Sequence, residues 1–275
     1  MKHGLTNLCL ATLVLLCGCG EDDVAGGKVT ADPSPQSLGI AGNWQFSLTS
    51  NVFPANPTVT IYGSLAQSGS SLRGAMHVDA SPCFDQLTTI ELGGTGSGSN
   101  LSLTSVPVNG QVIALTASVA NNAFTGTYAI DGGCTNRDRG NITGLKVPSV
   151  SGTWRIIFDV NEQHVGLGRA MLTQGTAEPE GSFGIGGTTT NSIVGSSCYA
   201  GTITAGTFPS PSYIMGSSVN LVIKTVDGGT VSFLGTLNQN GEIAGYYQVA
   251  GGVCDGYFGG ACLGRSLQSS CHVPL

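Results

Sequence analysis

Apolar and polar residues alternate with a period of two along much of the chain. Trp44, Phe46 and Leu48 alternate with Gln45, Ser47 and Thr49, while Trp154, Ile156, Phe158 and Val160 alternate with Arg155, Ile157 and Asp159. Successive side chains of a strand point to opposite faces, so this pattern gives each strand one apolar face. Leu101-Ser102-Leu103-Thr104 repeats the alternation. Thr- and Val-rich runs at Val112 to Val119 and Val219 to Val226 lie between turn-forming pairs such as Asn109-Gly110, Asn121-Asn122, Asp227-Gly228 and Asn240-Gly241. The best helical candidate, Glu162 to Gln174, contains Gly166 and Gly168, each of which weakens a helix by about 1 kcal/mol relative to Ala. Many short strands joined by tight turns predict an all-β fold of antiparallel up-and-down barrels or, alternatively, β-sandwiches.

The chain also repeats itself. Ile40-Ala41-Gly42-Asn43-Trp44-Gln45-Phe46 recurs as Val150-Ser151-Gly152-Thr153-Trp154-Arg155-Ile156, and these segments hold the two tryptophans of the protein. Leu65-Ala66-Gln67 matches Leu172-Thr173-Gln174, and Asn100-Leu101 matches Asn220-Leu221. Gly126-Thr127-Tyr128 leads to Cys134 as Gly245-Tyr246-Tyr247 leads to Cys254. The tryptophans stand about 110 residues apart, which is the size of a domain and not of a solenoid repeat. Two tandem β units follow, at about 40–147 and 148–265, with a C-terminal tail at 266–275.

Ahead of them, Met1-Lys2-His3 precedes an apolar run from Leu8 to Leu16. That run has the length of a signal-peptide core and is too short to span a bilayer as a helix. It ends in Leu16-Cys17-Gly18-Cys19, which resembles the lipobox of bacterial lipoproteins, with Leu three residues before and a small residue just before the modified cysteine. The resemblance implies that residues 1–18 are a removed signal and that Cys19 becomes a lipid-bearing N-terminus inserted in a membrane. Gly20, where Asp would retain such a protein at the inner membrane, implies the outer membrane of a bacterial cell envelope. Residues 19–39, with Glu21-Asp22-Asp23, Gly26-Gly27 and Asp32-Pro33-Ser34-Pro35, read as a lipidated cysteine and a disordered tether.

With Cys9 and Cys17 in the signal and Cys19 assigned to lipid, Cys83, Cys134, Cys198, Cys254, Cys262 and Cys271 remain, an even set suited to an oxidising compartment. The repeat selects Cys83–Cys134 and Cys198–Cys254, one bridge in each copy, and Cys262–Cys271 at the tail. Cys254–Cys262 stays open as an alternative. An immunoglobulin-type sandwich would place its Trp between two bridged cysteines, whereas here each Trp precedes both. Gly42-Asn43-Trp44 and Gly152-Thr153-Trp154 instead resemble the opening strand of calycins, the lipocalin- and avidin-type barrels whose Trp plugs one end. The resemblance implies an Arg over each Trp, for which Arg139 and Arg265 are the candidates. Tyr128 and Tyr247, at matching positions, are candidates to line a cavity.

Composition narrows the function further. A hydrophobic share of 40% suffices for a core, charged residues make up only 9%, and the net charge of −6 argues against a nucleic-acid partner. His77, His164 and His272 have no counterparts in the opposite copy, and no Gly-x-Ser-x-Gly elbow is present. His77 and Asp79 share a strand face without an evident third metal ligand, Glu178-Pro179-Glu180 reads as a solvated turn, and Gly94-Thr95-Gly96-Ser97-Gly98 reads as a loop. No catalytic residue, metal or cofactor is expected. The expectation is an envelope-anchored, non-catalytic binding or interaction module. A carrier would hold a small apolar ligand inside a barrel. A structural or adhesive lipoprotein would use its Ser-, Thr- and Gly-rich exterior on an envelope protein or polysaccharide, and a hydrolase would need one of the histidines beside an acid.

Overall fold

The computed structural model describes residues 39–53, 58–79, 83–135, 137–160, 163–191 and 198–265. Cys19, the tether through residue 38, His272 and Cys271 lie outside them. The first unit contains β1 (Gly42–Ser50), β2 (Val59–Ser68), β3 (Ser71–Val78), β4 (Ile90–Ser97), β5 (Asn100–Ser105), β6 (Val112–Ala120), β7 (Ala123–Asp131) and β8 (Asp138–Lys146). Each strand pairs antiparallel with the next, and β8 returns to β1 to close a barrel.

The second unit contains β9 (Gly152–Val160), β10 (Gln163–Ala177), β11 (Phe183–Asn191), β12 (Gly201–Ile203), β13 (Tyr213–Met215), β14 (Ser218–Thr225), β15 (Thr230–Leu237), β16 (Ile243–Ala250) and β17 (Phe258–Gly264). β12 and β13 each pair with both β11 and β14, so together they form one interrupted stave. β17 pairs with β9 and closes a second barrel of the same order. Closure removes the free edges that an open sheet would expose. The fold is therefore all-β, two tandem antiparallel up-and-down barrels.

The turns follow their sequences. Asn109 and Gly110 take φ of 51° and 74°, and Asn121 and Asn122 take 51° and 61°, the left-handed values of tight hairpins. Of the Glu162 to Gln174 segment, Gln163 to Gln174 belongs to β10, as its glycines suggest, and Glu162 lies outside the described residues. The Gly94 to Gly98 segment corrects the sequence reading: it is strand β4 as far as Ser97, and only Gly98 belongs to a turn. At Gly94 a side chain would overlap the backbone of Ser102 on β5, so the residue serves close strand packing.

Each barrel packs a cluster of apolar and aromatic side chains inside it. In the first, Trp44 and Phe46 stack at 5.8 Å between ring centroids, and Phe124 meets them edge-on at 5.9 and 4.8 Å. The Trp44 indole N–H donates to the Ile40 carbonyl at 2.6 Å, and the Trp154 indole donates to the Val150 carbonyl at 2.8 Å. Both rings are fully buried. Each thus ties the lead-in segment across its barrel end while burying a large apolar area. In the second barrel Phe158 stacks on Tyr199 at 4.1 Å, and Tyr247 meets both edge-on.

Cys83 is bridged to Cys134, and Cys198 to Cys254. That bridge removes the Cys254–Cys262 alternative. Cys262 is itself disulfide-bonded, and Cys271, its expected partner, lies outside the described residues.

Candidate functional site

The tryptophan ends of the barrels are built alike. Arg265 follows β17, lies over the Trp154 ring at 4.6 Å from its centroid, and donates to the Ser149 carbonyl. Arg139 does not take that part in the first copy. It stands at the opposite end of β8, donating to the Ile130 and Asp138 carbonyls and pairing with Asp131 at 2.7 Å. The position opposite Trp44 belongs to Lys146, whose ammonium donates to the Gly39 carbonyl at 2.7 Å. The copies therefore use different cations for one task, and partial burial lowers the pKa of Lys146.

Tyr128 and Tyr247 are buried inside their barrels, and the space beside Tyr128 is not ligand-sized. Tyr128 borders a cavity of about 30 Å³ among Leu48, Ile61, Phe84, Ile113 and Ile130, room for about one water. Its hydroxyl donates to Asp138 at 3.0 Å, and Ser50 donates to the other carboxylate oxygen at 2.5 Å. The Tyr247 hydroxyl meets that of Tyr199 at 3.1 Å inside the aromatic cluster. Burial first, and the Asp138 carboxylate second, push the Tyr128 hydroxyl up to about 12. Folding thus favours the neutral phenol, so its stabilisation is fully present below the unfolded value of about 10 and is lost as the pH rises through about 12. Thermal melts over this range should show that alkaline loss in the wild type and a smaller one in Tyr128→Phe. Equal alkaline losses would contradict the assignment.

The barrels meet through polar contacts. Asn43 donates to the Gly216 carbonyl at 2.8 Å and accepts from the Gly216 N–H at 2.8 Å, while Gln45 accepts from the Ser217 N–H at 3.1 Å. Gly216 has φ of 56°, and an added Cβ would come 2.6 Å from Tyr62, so glycine is required there. His77 is buried at this contact, with Nδ1 3.0 Å from the Gln86 carbonyl, Nε2 2.9 Å from the Glu180 carbonyl and its ring beside Phe208 at 4.9 Å. Its nitrogens are thus engaged by the backbone. The Glu178-Pro179-Glu180 turn, expected to be solvated, leads into Gly181, which packs on the first barrel, where an added side chain would overlap Ala75.

Asn43→Ala would leave two backbone groups of Gly216 unpaired in a buried contact, at about 1–3 kcal/mol each. Calorimetry should then show a lower melting temperature, and an unchanged one would count against a stabilising role for this contact.

Beside the contact lies a groove of about 900 Å³. Its floor is the outer face of the first barrel, with Gln45 and Ser47 on β1, Thr143 and Leu145 on β8 and Thr125 on β7. Asn121 and Asn122 form one lip, Val147 and Pro148 of the connection another, and Ser217, Leu237, Asn238 and Gln239 of the second barrel form the facing wall. Hydroxyls and neutral amides dominate its polar groups, with Lys146 as the charged residue among them. Among the described residues no three His, Cys, Asp or Glu side chains gather as metal ligands.

Sequence reasoning reached none of this groove. One signal was present: within the duplicated Gly-x-Trp, Asn43 stands where the other copy has Thr153, and Asn43 is buried while Thr153 is exposed. Comparison with protein-family models, curated proteins and solved structures finds no match to the chain.

Proposed function

We propose that the chain is a lipoprotein of the bacterial cell envelope, anchored through Cys19 to the outer membrane, that acts as a non-catalytic binding and interaction module. The observation that carries this reading is the contrast between the cavity of about 30 Å³ inside the first barrel and the open groove of about 900 Å³ between the barrels. Ligand sites are concave and of about 300–1,000 Å³, a range the groove meets and the cavity at Tyr128 does not. The reading therefore uses the exterior and not a barrel-held apolar ligand. Disulfide-stapled barrels on a lipid anchor suit the display of such a surface near a membrane.

Two arms test it. Metabolic labelling with an alkynyl fatty acid should mark the wild type and not Cys19→Ala. A photo-cross-linking residue at Thr143 or Gln239 should capture an envelope component in intact cells, whereas one at Thr188 of β11 should not. Equal labelling would end the anchor, and absence of groove-specific capture would end the module.

A further inference from the structure

The groove floor continues onto an ordered array of side chains. Thr60, Ser47, Thr143, Thr125 and Ser118 are direct cross-strand neighbours on β2, β1, β8, β7 and β6. Two residues along each strand, Thr49, Asn141, Thr127, Thr116 and Ser102 form a second row on β1, β8, β7, β6 and β5. Strand spacing sets about 4.8 Å between neighbours in a row, and two residues of rise set about 6.8 Å between rows. Thr143, Thr125, Ser118 and the whole second row are exposed. A third, shorter row of Gln45, Leu145 and Ala123 borders the first, and Ser47, Thr143 and Thr125 join array and groove.

We propose that this face and the groove beside it bind a linear, uncharged polysaccharide lying across the strands, an inference that rests on the interaction-module reading above. The rows contain no charged side chain, so nothing in them selects an ionic ligand. Hydroxyls and amides both donate and accept hydrogen bonds, as the hydroxyls of a sugar do, and bridging water extends their reach. Threonine methyls and Leu145, which is 49% exposed, provide the apolar contacts for the C–H faces of a sugar ring. A protein partner fits less well, because interface hot spots are enriched in Trp, Tyr and Arg and the rows have none. The array also runs well past the groove, which favours a polymer over a small molecule.

The test uses the purified full chain with insoluble cellulose, chitin and an α-glucan, and then titration with soluble hexamers of the same sugars. The wild type should be retained on at least one of them, with little change between about 0.05 and about 0.5 M salt, since the rows carry no charge and the Lys146 ammonium at the groove is engaged by the Gly39 carbonyl. The double variant Thr125→Val with Thr143→Val removes two hydroxyls while keeping β-branched side chains suited to strands. It should lose at least about tenfold in affinity at an unchanged melting temperature, whereas Thr188→Val on the second barrel should bind as the wild type does. No retention on any of the three polymers, or equal binding by the double variant, overturns the proposal. If cells yield a protein cross-linked at Thr143 while no polymer is retained, the module stands and the polysaccharide falls. If neither appears, both fall.

Discussion

Replacing Trp44 by Ala should destabilise the first barrel by about 3–5 kcal/mol, the range for deleting a large buried aromatic. The ring is fully buried, stacks on Phe46 and touches Phe124, and its N–H holds the Ile40 carbonyl at 2.6 Å. Removing it leaves a cavity that the closed sheet cannot collapse around and releases the lead-in strand. For a domain of this size each kcal/mol shifts the melting temperature by about 4–8 °C, so a fall of more than about 12 °C is expected. Trp154→Ala should act alike on the second barrel, with the further loss of the Arg265 contact. An unchanged melting temperature in either variant would contradict the role of the rings as end plugs.

Replacing both Cys198 and Cys254 by Ser should cost about 4 kcal/mol. The bridge joins residues 56 apart, and constraining a loop of that length in the unfolded chain is worth about this much in the chain-entropy model. Both cysteines are buried, and Cys198 adjoins Tyr199 of the aromatic cluster, so the hydroxyls also weaken packing. Chemical denaturation should show a lower midpoint for the second barrel while the first keeps its own. Loss of both transitions together would indicate coupling stronger than the polar contact around Gly216 supplies.

The period-two runs, the paired Gly-x-Trp segments and the Asn-Gly and Asn-Asn turns made the strands, the duplication and the tight hairpins legible, because each depends on local geometry. Barrel closure was less so. It rests on the pairing of β1 with β8 and of β9 with β17, and alternation alone does not state which strands meet. The cation at each tryptophan end shows how register decides: Arg139 was the Arg near the last strand, yet Lys146 is the residue opposite Trp44. The groove was illegible for a related reason. The pattern marks Ser47, Thr125 and Thr143 as outward-facing but does not say that they become neighbours or that the Gln239 turn of another barrel faces them. The two Asn43 bonds to Gly216, which set that arrangement, join distant parts of the chain and leave only the Asn-for-Thr difference as a trace.

The most direct measurement is native mass spectrometry of the protein purified from its own cells, under conditions that keep non-covalent ligands bound. Because the proposal assigns binding to the outside of the barrels, the predicted mass is that of the polypeptide with its proposed lipid and no apolar small molecule retained. A stoichiometric apolar adduct that disappears in Leu48→Trp, which would fill the space beside Tyr128, would contradict the account and return the protein to the carriers.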